Sequence, residues 1–285
     1  MNSTDFVITG SLLKEYLGNE DTVIIPDGIR AIAPLAFRNN ESIKHIKFSK
    51  SVEIVFPQAF QGCSNLEDVE MSNNVTEIRQ WAFNDCKNLH TVSGTEGLKL
   101  ISMGAFCDCY KLHDFYIPDN VIIGSECFSG CHELCDESGL MILYGILFAC
   151  SLDLQEVDLP ETVERLAWSA FEGCYELKKV KLNNNIKVIS TYAFKDCTSL
   201  EEVIIPDTVI EIEDSAFEGC KKLSKIELPS NLKRIGIRAF SGCSVLEISN
   251  LPESVSSIKD EAFSGCRKLS SEFKEKIERI INIEK

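Results

Sequence analysis

Thirteen cysteines and four histidines are the residues of this chain best suited to chemistry, as nucleophiles, metal ligands or groups that titrate near neutral pH. Their spacing first suggests zinc. Cys107-x-Cys109 and Cys127-x3-Cys131-x3-Cys135, with His132 beside them, supply ligand types of a structural site. No Cys-x-x-Cys occurs, however, and Cys109 and Cys131 also belong to a regular pattern that explains them otherwise, so no metal is expected. His90 and His113 lie 23 residues apart and, with Asp68 or Asp114, could bind a metal or titrate; the plainer reading is exposed polar residues. Glu67 and Asp68 pair two carboxylates, as acid–base catalysis requires. No Gly-x-Gly-x-x-Gly, P-loop or His-Glu-x-x-His is present, and no nucleophile outside the repeats has an orienting partner. Neither catalysis nor a cofactor is expected.

The elements that must position these residues come from one repeat. Nine copies of [Ala or Cys]-Phe-x-x-Cys-x-x-Leu recur, as in Ala193-Phe194-Lys-Asp-Cys197-Thr-Ser-Leu200, and degenerate copies add Phe37 and Phe148. The repeat phenylalanines are then 37, 60, 83, 106, 128, 148, 171, 194, 217, 240 and 263, spaced by 23 except for gaps of 22 and 20 around Phe128. A fixed period of this size marks a solenoid. In each unit Val203-Ile204-Ile205 alternates as a half-buried strand, Pro206-Asp207 turns the chain, and Val209-x-x-Ile212 returns an apolar edge inward. Ala-Phe-x-x-Cys is expected as a tight helical turn with Phe filling the coil. One such unit cannot bury its own apolar face, but stacked units can.

The expected organisation is a single domain. Residues 1–21 form an N-terminal cap with a strand around Phe6–Thr9 and a covering segment around Leu12–Tyr16; residues 22–270 form about eleven repeats, irregular at 127–150; residues 271–285 form an amphipathic capping helix. The irregular stretch reads either as a binding insert or as a worn repeat.

The Leu-x-x-Val/Ile-x-Leu/Ile-Pro strand, followed by Val-x-x-Ile and Ala-Phe-x-x-Cys, resembles the BspA-like class of leucine-rich repeats across residues 22–270. That resemblance implies a leucine-rich-repeat solenoid, a right-handed curved rod of short parallel strands joined by tight turns. It also implies a non-catalytic, adhesion-type interaction protein, and it carries over no catalytic residues.

If the repeats stack in register, three outward positions per rung form one face. Rung by rung they read Lys44, His45, Lys47; Glu67, Asp68, Glu70; His90, Thr91, Ser93; His113, Asp114, Tyr116; and later Lys178, Lys179, Lys181 before Glu201, Glu202 and Ile204. Opposite charges on neighbouring rungs predict a ladder that sets register. The same positions could form a recognition surface, with Tyr116 as its best anchor. The expected partner is a protein or a glycan-bearing molecule; the alternative is a structural spacer or scaffold within a larger surface assembly. With 29 basic against 44 acidic residues the net charge is −15, which disfavours nucleic acid and anionic membrane surfaces. No apolar run spans a bilayer and no signal segment stands at Met1, so the reading is a monomer, cytoplasmic as written or at the cell surface if an export signal has been removed. Nine cysteines (63, 86, 109, 131, 174, 197, 220, 243, 266) share one repeat position and are expected as an interior ladder of thiols.

Overall fold

Alternation of apolar and polar residues over only three positions makes strands short, and short strands need many parallel neighbours. A computed structural model describes residues 5–248 and 250–283; residues 1–4, 284 and 285 of the expected caps lie outside the described residues. The chain divides into two compact units, Met1–Leu134 and Cys135–Lys285, and each is a β-solenoid.

In the first unit, strands Thr22–Ile24, His45–Lys47, Asp68–Glu70, Thr91–Ser93 and Asp114–Phe115 form one parallel sheet. Two-residue strands Ala31–Ile32, Ile54–Val55, Glu77–Ile78, Leu100–Ile101 and Ile122–Ile123 form a second. The second sheet begins at an antiparallel hairpin, Phe6–Thr9 with Leu12–Tyr16, so the segment expected merely to cover the first rung is itself a strand. In the second unit, Glu156–Asp158, Lys179–Lys181, Glu202–Ile204 and Lys225–Ile226 build the longer-strand sheet. Val188–Ile189, Glu211–Ile212, Arg234–Ile235 and Ser257–Ile258 build a two-residue one. This unit also starts with a hairpin, Leu140–Leu143 with Ile146–Cys150, which pairs with Arg165–Leu166. Phe148, read above as a repeat phenylalanine, lies in that extended strand.

The Ala-Phe-x-x-Cys segment is a tight turn that bonds in two directions. Within a coil the amide of Cys63 donates to the Phe60 carbonyl at 3.1 Å. Between coils Gln58, Phe60 and Gly62 donate to the carbonyls of Gln80, Ala82 and Asn84 at 3.0, 2.7 and 2.9 Å. Tyr192, Phe194 and Asp196 repeat this on Asp214, Ala216 and Glu218 at 3.1, 2.7 and 2.7 Å. The turns thus form a third hydrogen-bonded ladder. Positive φ at the residues two before and two after Phe aims alternate amides along the stack, as at Tyr192 (59°) and Asp196 (57°). The later position is always Asn, Asp or Gly, the residues that tolerate a left-handed backbone.

Stacking places the phenylalanines in columns. Phe37–Phe60, Phe60–Phe83 and Phe83–Phe106 have ring centroids 4.7, 4.9 and 5.2 Å apart, and Tyr16 of the hairpin extends the column at 5.2 Å from Phe37. In the second unit Phe171 to Phe263 step by 4.8, 5.0, 5.1 and 5.2 Å. These steps match the separation of neighbouring strands, ~4.7–4.9 Å. Helix Ser271–Ile283 closes the second unit, with Phe273 set edge-on to Phe263 at 5.6 Å and Ile277 buried. Ser270 caps the helix by accepting the Phe273 amide at 3.1 Å.

Candidate interaction face

Strand pairing fixes which outward side chains meet. In the first unit His45 lies opposite Asp68 and Lys47 opposite Glu70; Asp68 and Glu70 lie in turn opposite Thr91 and Ser93. Asp114 follows Thr91 in the same row. Lys44, Glu67, His90 and His113 precede these strands in the four successive rungs.

The expected ladder of charge forms in both units. Lys44 meets Glu67 at 3.8 Å, and Lys47 meets Glu70 at 2.5 Å. Lys179 sits in register between Glu156 and Glu202 and bridges Glu202 at 3.0 Å. Lys181 reaches back to Asp158 at 3.0 Å, and the Lys178 ammonium donates to Gln155 at 2.9 Å. All are at least partly solvated, so each pair adds a fraction of a kcal/mol to register and is screened by salt, ~0.2–1 kcal/mol in solution.

One row is organised differently. His45 Nδ1 lies 2.8 Å from Asp68 Oδ2, and the Thr91 hydroxyl donates to Asp68 Oδ1 at 2.6 Å. The Thr91 bond first, then His45 and the nearby His90, holds the Asp68 carboxyl below the usual carboxylate range. Ligand atoms of His45, Glu67 and Asp68 lie within 4.8 Å of one another. The Lys44 ammonium beside Glu67 and the His45–Asp68 contact account for that cluster as ion pairing.

The next rungs depart from charge pairing. His90 and His113 stand edge to face at 5.9 Å, as their spacing implied. The His113 Nδ1–H donates to the Lys111 carbonyl at 3.0 Å, and Glu133 approaches the same nitrogen at 3.5 Å. Glu133 was missed in the sequence because it lies in the 3-10 turn His132–Leu134, outside the repeat register. His132 stacks on Tyr110, with centroids 6.4 Å apart. Tyr116 is 57% exposed, and its carbonyl is pinned by the Thr95 hydroxyl at 2.7 Å. The ring is therefore presented from a fixed backbone.

The thiols lie far from this face. Cys63, Cys86, Cys109 and Cys131 donate to the carbonyls of Phe37, Phe60, Phe83 and Phe106 at 3.0–3.3 Å. Cys197, Cys220, Cys243 and Cys266 do the same to Phe171, Phe194, Phe217 and Phe240 at 2.9–3.1 Å. Each thiol satisfies a buried carbonyl of the preceding coil, which explains cysteine rather than a plain hydrophobe there. Burial pushes Cys63 up to about 12 and Cys86, Cys109, Cys197 and Cys220 well above the ordinary thiol value, the reverse of what a thiolate nucleophile or ligand needs. Cys135, drawn above with Cys127 and Cys131, lies in the second unit, and burial raises it to about 12.

Among known proteins, the BspA type leucine rich repeat region matches residues 15–135 and 143–280, in six copies. A leucine rich cell surface protein from Faecalibacterium prausnitzii is similar in structure, with a TM-score of 0.61 and 24% identity over 95% of this chain and 84% of that one. The pneumococcal vaccine antigen PcpA aligns with a TM-score of 0.69 and 26% identity over 89% of this chain and 69% of its own. A leucine-rich repeat protein from Eubacterium ventriosum aligns with a TM-score of 0.52 and 16% identity over 89% and 88% of the two chains. No curated protein matches.

Proposed function

Because the chain belongs to the BspA-type leucine-rich-repeat family, we propose that it is a non-catalytic interaction module whose strand face binds a protein or glycan-bearing partner. The observation that carries this reading is the change of chemistry along the first unit. Rungs at Lys44–Lys47 and Glu67–Glu70 neutralise each other, whereas the rungs bearing His90, His113, Asp114 and Tyr116 leave polar and aromatic groups turned to solvent. An exposed tyrosine on an anchored backbone loses little freedom on binding, which is how interface hot spots gain affinity. Lys178, Lys179 and Lys181 form the corresponding basic rung of the second unit and serve as a secondary contact. The acidic surface favours a neutral or basic partner over nucleic acid. Among the described residues no helix is long and apolar enough to cross a membrane.

The alternative, a spacer or scaffold without a dedicated surface, is favoured by the ion-pair ladders, which explain many outward residues by register alone. Affinity capture from cell lysates separates the two. The chain is compared with a variant carrying His90→Ala, His113→Ala and Tyr116→Ala, and with Lys233→Ala as a control off the face. Partners captured by the wild type and control but lost from the folded triple variant support the module. Equal recovery by all three removes the proposed hot spot, and no recovery by any of them favours the spacer.

A further inference from the structure

The two hairpins are built alike to the residue. Each is antiparallel with a two-residue connection, at positions 10–11 and 144–145. Each carries a register shift after the second residue of its first strand, between Val7 and Ile8 and between Met141 and Ile142. Each then pairs its second strand in parallel with a two-residue strand: Leu12 with Ala31 and Leu13 with Ile32, against Ile146 with Arg165 and Leu147 with Leu166.

Corresponding positions differ by one constant. From the hairpins, 146 − 12 = 134 and 165 − 31 = 134. From the rungs, Phe171 − Phe37, Cys197 − Cys63 and Phe240 − Phe106 also give 134. Only the last rung shifts, 263 − 128 = 135, because the first unit has one residue fewer between Phe106 and Phe128. An offset of 134 is not a multiple of the 23-residue coil, so stacking identical coils cannot generate it. The compact units divide at Leu134/Cys135, and the two stretches matched by the family pattern are separated by residues 136–142, up to the first strand of the inner hairpin. Each of the five sheets lies wholly within one unit.

We infer that the chain is a tandem duplication of one capped module, and that the inner hairpin Leu140–Cys150 is a second N-terminal cap that divides the protein into two independently cooperative units. The shortened rung is then neither an insert for binding nor a worn repeat. In a solenoid, cooperativity passes from coil to coil through shared ladders. An antiparallel strand ends a parallel ladder, since it offers the next coil no parallel edge. No ladder is shared across residue 134, so opening of one unit is not transmitted through the backbone to the other.

The test is hydrogen exchange with mass spectrometry on the full-length chain across a urea series, for the wild type and for Phe60→Ala and Phe194→Ala. Phe60→Ala is expected to lower the opening midpoint of peptides throughout residues 22–131 and leave those of 156–266 unchanged. Phe194→Ala should do the reverse. A midpoint lowered equally in both halves by either variant overturns the inference. So does an effect that fades smoothly along the chain across residue 134. Phe60→Leu and Phe194→Leu replace any alanine variant that does not fold. The wild type is read in the same series: two groups of peptides with a boundary at 134 support the inference, and a single common transition overturns it.

Discussion

Each ladder cysteine acts as a hydrogen-bond donor in a place where no water reaches. Its cost appears at high pH. Unfolded thiols ionise near 9.0, whereas Cys63 in the fold is raised to about 12 and its neighbours are raised further by burial and by one another. Between those values the unfolded chain releases protons that the folded chain retains. Stability is therefore expected to be independent of these groups below pH 9 and to fall steadily as pH rises toward 12. Urea midpoints measured from pH 7 to 11 check this, and a midpoint that rises across the alkaline range refutes it. Alkylation reports on the same burial: the nine ladder thiols should resist iodoacetamide in the native chain and react on denaturation. The phenylalanine columns make a second residue-scale prediction. Phe83→Ala, at a fully buried ring with neighbours at 4.9 and 5.2 Å, should cost ~3–5 kcal/mol in urea unfolding. Both the columns and the thiol ladder were legible in the sequence, because period 23 assigns every Phe and Cys to one environment. The carbonyl partner of each thiol was not, since it belongs to the preceding coil, 26 residues back for most.

At the scale of elements, the third ladder is the feature that the sequence hides best. Its earlier left-handed position accepts Leu35, Gln58, Trp81, Tyr192, Ser215 and Arg238 alike, so residue type gives no signal. The strain there is measurable. Gln58→Gly should raise stability by up to ~1 kcal/mol, the relief of a left-handed non-glycine residue less the entropy that glycine adds to the unfolded chain. Gly94→Ala should do the opposite by at least ~1–2 kcal/mol: its φ is +72°, and a β-carbon there would stand 2.2 Å from the Met71 carbonyl oxygen. Chemical denaturation of both variants decides these signs. The capping helix was readable from its apolar spacing. The inner hairpin was not, because Leu140–Leu143 and Ile146–Cys150 are largely buried on both faces and so lack the alternation that marks a strand. The Tyr144-Gly145 pair at its tip, with φ of 49° and 74°, was the available clue.

At the scale of the whole molecule, a division at residue 134 places the most vulnerable backbone at the start of the second unit. Asp136, Glu137 and Ser138 are exposed in a turn held by its own Asp136 side chain, which accepts the Ser138 amide at 2.8 Å. A glutamate-specific protease at low dose should cut first after Glu137 and leave two products of similar size. Early cleavage spread over the coil turns, at Glu172 or Glu218, would instead show that the units are no more stable than their junction. The candidate face was legible only in part. Spacing brought His90 beside His113 and Lys44 over Glu67, but not Glu133 to His113, because the rung that carries it breaks the period.

The inner hairpin also supplies a ruler for ancestry. Positions related by 134 started from one residue, so the two copies serve as each other's outgroup. Lys44 and Lys47 reappear as Lys178 and Lys181, and Glu67 as Glu201; the residues that set register have been kept twice. His90 corresponds to Ser224, His113 to Glu247 and Tyr116 to Asn250. Those are the sites at which the copies parted, and divergence after duplication marks where one copy took up a task the other does not share.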